Sequence, residues 1–500
     1  ISGRYLSERL GLWEMSGGLL NDDDLYSEES SKNEDNDRWL LQIKQQGKIG
    51  SYWSSQIDYN KASDADYLKD LRSFGLNSRR ANNLKQAGSV LFRSAKWRMD
   101  IDLLQFQSLS YGISQRYKTL PKITTSLSSQ ENQFSLNPIL LLQYANFESD
   151  LDVITGERIY GEAGFKYPMR WEFGFLNSAI KQRTVSYNLE SDHLLSSKNP
   201  SKNALLATID GGAFFDRSTS FLGKDYLQTI EPRFFYLYSG GTDQRNMPIF
   251  DTSELTFDFN QLFRSRWLSG YDRFQDANQI SAGISTRYIG QDSGREYLSL
   301  SLGKIFYFTT PETFLPYHSS GRQNAKSDFF LEANYSPSDR FSFHATTQYN
   351  SENQKVRRGR LALRYHAGMG KILNFQHSYR RPNFSNSEKT AIDETRLSGY
   401  LSLSRKWHLF GAISYNWEMR SSMEDFLGIE YDSCCWKARV IYSRYIDRVP
   451  GEKLYSPFYP NLQRDESIQF QFLLKGMGAV GPRIDKLMTD MIRGLDFGGN

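Results

Sequence analysis

The sequence predicts an all-β fold: a large antiparallel transmembrane β-barrel of about 22–26 strands, at roughly 20 residues per strand and connection. Three observations predict it. The chain is polar, with a mean hydropathy of −0.59, yet 14% of its 500 residues are aromatic, among them 30 Tyr and 33 Phe. Period-two alternation of apolar and polar residues recurs along its length. No apolar run approaches the 18 or so residues that a membrane helix needs, and the patch 139–142 is among the longest. A closed barrel is the other structure that crosses a bilayer, because it leaves no backbone group unpaired in lipid.

The chain opens at Ile1 and passes directly into charged sequence at Arg4, Glu8 and Arg9, with no signal peptide, as a processed or internal segment would. Alternation is clear at Phe341, Phe343, Ala345, Thr347 and Tyr349, and again at Leu361, Leu363 and Tyr365. Leu401 and Leu403 alternate with Ser402 and Ser404. After the short stretch 405–407 the odd positions run Leu409, Gly411, Ile413, Tyr415, Trp417, Met419. The intervening even positions, from His408 and Phe410 to Glu418, form the face expected to meet water. Trp436, Ala438, Val440 and Tyr442 follow, then Ile468, Phe470, Phe472 and Leu474. The barrel is therefore expected over residues 1–475, with a flexible C-terminal tail over 476–500.

Barrels of this kind carry short turns on the periplasmic side and long loops outside. Long polar loops are expected at 21–37, 196–203, 239–261, 309–326 and 379–395. In the first of these, Asp22, Asp23, Asp24, Glu28, Glu29, Glu34 and Asp35 suit either a solvated loop or a bound cation. Lys355, Arg357, Arg358 and Arg360 suit either a charged hairpin turn or the path of an anionic substrate.

Several function classes find no support. The 61 basic and 57 acidic residues leave a net charge of +4, too balanced to argue for nucleic acid. The six histidines are scattered, no two at metal-ligand spacing. No Ser/His/Asp order or Walker loop appears, so neither enzyme, cofactor nor metal is expected. Residues 476–481 match G-x-G-x-x-G, but too little chain follows for the second strand of a βαβ unit.

The two cysteines are adjacent. Cys434 and Cys435 sit between the strand ending at Tyr431 and the one starting at Trp436, on a tight turn that the loop rule places in the oxidising periplasm. A bond between neighbours would be strained against the trans peptide. Separate bonds to partners outside this chain, and incidental unpaired thiols, are the other readings.

Longer stretches carry a family resemblance. Residues 226–233, YLQTIEPR, followed by FYLY at 235–238, resemble the TLEPR…YLY segment of the LptD family of lipopolysaccharide-assembly proteins. LFR at 262–264, GYDR at 270–273 and DANQ at 276–279 resemble its LFR…GLDR…ANQ segment. GKIFYF at 303–308 resembles its GQIYYF strand, and NDDDLY at 21–26 with RWLL at 38–41 resembles its DDKVY…RRWLF stretch. The matches run in order along nearly the whole chain.

The resemblance implies an outer-membrane translocon in Gram-negative bacteria that delivers lipopolysaccharide to the outer leaflet, its sugar passing through the lumen and its lipid through a lateral seam. It implies a plug lipoprotein, LptE, and a periplasmic bridge protein, LptA, reached through an N-terminal jelly-roll. The resemblance further implies that this jelly-roll and the first one or two barrel strands are expected upstream of Ile1. It also implies that Cys434 and Cys435 form disulfides with jelly-roll cysteines, and that the strand bearing Ile468, Phe470, Phe472 and Leu474 is one lip of the seam. A porin or substrate-specific channel is the alternative, and a soluble all-β enzyme or binding module a third reading.

Overall fold

The computed structural model describes residues 2–23, 37–65, 67–70, 83–109, 117–127, 132–190, 197–221, 223–241, 243–253, 255, 258–309, 326–351, 354–381, 392–446, 464–476, 478–480 and 484–495. They form a single 25-stranded sheet. Strands β1 (Ser2–Ser7), β2 (Gly11–Leu20), β3 (Arg38–Ile49) and β4 (Trp53–Ala62) precede a one-turn helix α1 (Tyr67–Asp70). Next come β5 (Asn83–Arg93), β6 (Trp97–Ser108), β7 (Lys118–Leu127) and β8 (Asn137–Glu148). The longest strands lie among β9 (Gly156–Trp171), β10 (Gly174–Leu189), β11 (Ser201–Ala213), β12 (Phe215–Phe221) and β13 (Lys224–Ser239). They are followed by β14 (Ala277–Gly290), β15 (Glu296–Tyr307), β16 (Lys326–Ser338), β17 (Phe341–Asn350), β18 (Lys355–His366) and β19 (Lys371–Arg380). The last are β20 (Ile392–Ser402), β21 (Trp407–Asn416), β22 (Ser421–Asp432), β23 (Trp436–Ile446), β24 (Arg464–Leu474) and the three-residue β25 (Gly478–Val480), before helix α2 (Ile484–Met491).

Each strand pairs antiparallel with its neighbours in sequence, except that β11 and β12 run on as one bent strand and both pair with β13. The connections alternate. Short turns such as 50–52, 94–96, 172–173, 339–340 and 433–435 gather at one rim, and longer connections such as 240–276 lie at the other. No backbone pairing among the described residues joins β1 to β24.

Alternation does what the two-solvent argument requires. On β22 to β24, Leu427, Ile429, Val440, Tyr442, Ile468 and Phe470 point outward and are exposed, while Glu430, Arg439 and Gln471 point inward and are buried. At the short-turn rim, Trp407, Tyr431, Trp436 and Phe472 form a chain of ring contacts with centroids 4.9–5.5 Å apart. Such a girdle suits the membrane interface.

The inner face is not bare, and here the structure corrects the sequence reading twice. The tail expected at 476–500 is partly folded. β25 pairs with the end of β24, Phe472 facing Val480, and α2 turns into the lumen. Ile484, Met488, Met491, Ile492 and Leu495 are buried against Ile372, Tyr400, Phe410, Ala412, Phe426 and Ile441 of the wall. Phe410 and Ala412, assigned above to the watery face, are thus dry under α2. The helix has the i, i+4 spacing of a one-sided apolar stripe.

The second correction concerns the loop expected at 239–261. It extends over 240–276 and folds inward, burying Met247, Phe250, Leu262, Phe263 and Phe274. The loops expected at 21–37, 309–326 and 379–395, with Asp24, Glu28, Glu29, Glu34 and Asp35, fall mostly or wholly outside the described residues.

Candidate functional site: luminal loop, cysteine turn and strand β24

The inward loop is held by charge. Arg158 on β9 stands directly across from Tyr187 on β10. Its guanidinium donates to Asp251 Oδ1 at 2.6 Å, Asp251 Oδ2 at 2.8 Å, Asp272 Oδ1 at 2.5 Å and Gln143 Oε1 at 2.9 Å. Asp272 also accepts from the Tyr187 hydroxyl, the Thr252 hydroxyl and the backbone N–H groups of Phe250 and Asp251, all within 3.0 Å. Burial alone would raise the Asp272 carboxyl; Arg158 and these N–H donors outweigh it and hold it below the ordinary carboxylate range. Arg273 closes the loop on itself, donating to the carbonyls of Pro248 and Met247 at 2.8 and 2.7 Å. Phe250 stacks on Phe147 of β8, centroids 4.4 Å apart.

A second anchor is the 3-10 turn Phe259–Phe263, capped by Asp258, whose side chain accepts from Gln261 N–H at 2.9 Å. Its Leu262 and Phe263 lie on β14 and β15 where the wall has only glycine. A Cβ on Gly303 would sit 2.4 Å from Leu262 Cδ1, and one on Gly283 would sit 2.7 Å from Phe263 Cζ. Arg233 of β13 covers the Phe263 ring at 4.4 Å. The LFR and YDR motifs, first noticed as a resemblance, are thus the loop's two attachment points. Arg158, Tyr187 and Asp251 were not picked out from the sequence. A lone Arg in a strand carries no signal until the loop folds onto it.

Cys434 and Cys435 occupy the 433–435 turn at the short-turn rim. Both are exposed and unbonded, their Sγ atoms 3.0 Å apart. Hydrogen bonding from Cys435 and from the Ser433 hydroxyl lowers the Cys434 thiol, while the Cys435 thiol is raised. The turn is clamped to the exit of β24. Lys475 Nζ reaches the Ser433 carbonyl and Asp432 Oδ1, each at 2.6 Å, and the Lys475 N–H donates to the Cys435 carbonyl at 3.0 Å.

Ile468, Phe470, Phe472 and Leu474 lie on the outward face of β24, which pairs with β23 on one side and with β25 at one end. The cysteine turn and this strand are therefore neighbours, a juxtaposition that sequence distance hides.

The other charge runs find modest roles. Of the acidic run, Asp23 pairs with Arg38, which also binds Asp64. Of the basic run, Arg357 binds Asp328 at 3.3 Å and Arg360 donates to Gln376 at 2.8 Å. His408, Glu430 and Asp432 place ligand atoms within 4.8 Å of one another. Arg439 and Lys437 already neutralise Glu430, and Lys437 and Lys475 neutralise Asp432, so a metal ion there would meet a surplus of cations. Gly478–Val480, inside the glycine-rich match, is strand rather than a phosphate-binding turn, and Met477 and Gly481 fall outside the described residues.

A continuous meander with two solvent faces, an aromatic girdle and a luminal loop defines an outer-membrane β-barrel. The family model of LPS transport system D matches residues 36–407. The chain belongs to that family, LptD, whose place is the outer membrane of Gram-negative bacteria.

Relatives include the LPS-assembly protein LptD of Pseudomonas syringae pv. tomato, 28% identical over 98% of this chain and 59% of its own length. Those of Saccharophagus degradans (28%, 95% and 57%) and Xanthomonas oryzae pv. oryzae (27%, 98% and 63%) are similar. The chain thus spans about three fifths of the length of the curated relatives it matches. Among solved structures, the ferric enterobactin receptor of Pseudomonas aeruginosa matches with a TM-score of 0.34 at 8% identity, over 96% of this chain and 76% of the receptor. At that level the likeness adds nothing to the fold read from the strands themselves.

Proposed function

We propose that this chain is the membrane barrel of a translocon that inserts lipopolysaccharide into the outer leaflet, the sugar passing through the lumen and the lipid leaving through a lateral seam at β24. The observation that carries the reading is family membership joined to a sheet whose β24 edge has, among the described residues, no strand partner over 464–471. Unpaired backbone in hydrocarbon costs several kcal/mol per group. Such an edge needs a partner strand, and a weakly held partner is what a gate requires.

The energetics favour a seam over a closed pore. Moving acyl chains through water costs about 0.8 kcal/mol per methylene, on the order of 50 kcal/mol for tens of them. Sugar hydroxyls forced through lipid would lose their hydrogen bonds. A side opening keeps each half in its own solvent. The loop 240–276 and α2 occupy the lumen, which argues against the porin alternative.

Nothing in this mechanism calls for catalysis, and the driving energy comes from elsewhere. In this reading LptE fills the remaining lumen, LptA delivers substrate through a jelly-roll, and Cys434 and Cys435 bond to cysteines there. The test is a disulfide between position 470 and the strand facing it in the full-length protein. Oxidation is expected to stop the appearance of lipopolysaccharide at the cell surface, and reduction to restore it. Undiminished export with the cross-link formed overturns the reading.

A further inference from the structure

A cavity of about 590 Å³ opens at the short-turn rim, on the lumen side of β16 to β19. Arg295, Arg340, Arg364, His366, Asn374 and Arg493 are among the residues that line it. Register builds it. Ser342, Arg364 and Asn374 stand in one row across β17, β18 and β19. One step nearer the rim, the His366 N–H donates to the Arg340 carbonyl at 2.7 Å. The third arginine arrives from the other end of the sequence. Arg493 follows α2, and Asn374 Nδ2 fixes its position by donating to its carbonyl at 3.0 Å.

The charge is unbalanced. Arg340, Arg364 and Arg493 have no ion-pair or hydrogen-bond partner for their guanidinium groups among the described residues. Two carboxylates share the wall and each has a partner, Asp339 in Arg295, which lines the same cavity, and Glu296, loosely, in Arg287 at 3.9 Å. Arg364 and Arg493 repel one another, and Arg340 adds a third forked donor to the same partly enclosed volume. That repulsion is relieved by a compact oxyanion able to accept bidentate bonds from each. The volume falls in the range of small-molecule sites.

We propose that this cavity binds a phosphate-type oxyanion, as inorganic phosphate or as the phosphate of a sugar headgroup. The inference stands apart from the export reading: each can fail while the other survives.

The test is calorimetric titration of the full-length protein, with its partners, in nanodiscs. The probes are pyrophosphate, a glucosamine disaccharide bisphosphate and the same disaccharide without phosphates. Both phosphates are expected to bind and the bare disaccharide not to. Arg364→Gln with Arg493→Gln should weaken binding roughly tenfold or more, the size of losing charge-assisted hydrogen bonds. Arg340→Gln, on an exposed turn where folding is not at risk, should weaken it less. Lys96→Gln, on a turn of the same rim outside the cavity, should leave it unchanged.

Tighter binding of the disaccharide bisphosphate than of pyrophosphate points to a headgroup, and equal binding to free phosphate; both support the site. Binding of the bare disaccharide as tight as of its bisphosphate overturns it. So does failure of both phosphates to bind, or affinity that ignores Arg340 and the Arg364/Arg493 pair.

Discussion

Arg158 and Asp272 lie 2.5 Å apart with both side chains fully buried, one fixed in the barrel wall and the other in the loop that fills the lumen. A buried pair of this kind is costly to break from one side, because the abandoned charge stays in a dry place. Arg158→Ala is expected to cost about 3–5 kcal/mol, expressed as release of the loop. Protease cleavage within 243–276 should appear while the β-barrel keeps its heat-dependent gel mobility. A loop that stays protected would show that apolar packing alone holds it. Asp272→Asn should be milder, since Arg158 keeps both oxygens of Asp251.

Acid should act through the same pair. The folded Asp272 carboxyl is held below its ordinary value of about 3.9, so its stabilising effect is complete above that value. It disappears as pH falls through the lower, folded value. Loop protection measured from pH 7 downward should hold to about pH 4 and then decline. Loss already at pH 6 would assign control to another group.

The glycines under the loop should be intolerant in proportion to size. Gly303→Ala brings a methyl into Leu262 and should cost about 1–3 kcal/mol, with Gly303→Val costing more. Leu262→Ala combined with Gly303→Val should recover part of the loss. Thermal unfolding in detergent reads both, and additive losses would mean that the two residues do not meet.

The vicinal thiols should react unequally. A lowered Cys434 thiol holds more thiolate at pH 7.5 and should be alkylated first. Cys435→Ala removes the main cause of that lowering, so the pH midpoint of Cys434 alkylation should move upward. An unmoved midpoint would assign the effect to Ser433.

Met488 is fully buried beneath the wall. Met488→Ala should cost about 2–5 kcal/mol, read as earlier thermal unfolding. No change would mean that α2 is not docked in solution.

The strands were legible because a barrel wall writes its two solvents into alternate positions, as Leu427 and Ile429 against Glu430 do. The filling of the lumen was not. A loop that packs against a polar wall is itself polar, so 240–276 has the composition of a solvated loop although Asp272 is as buried as any leucine. One trace was available. Phe410, Phe426 and Ile441 are apolar on the face that should be wet, and together they mark the berth of α2. The cysteine turn was placed correctly on a short connection, but its clamp to Lys475 joins residues 42 positions apart and no local pattern announces it.

Helix α2 has a mechanical consequence. It follows β24 and β25 in sequence, accepts from Gln471 of β24 through Asp485 at 3.1 Å, and fastens at Arg493 to Asn374, five strands around the wall. β24 is therefore a doorpost braced from within rather than a swinging leaf. Under the proposed seam mechanism, the strand facing β24 is the one expected to move.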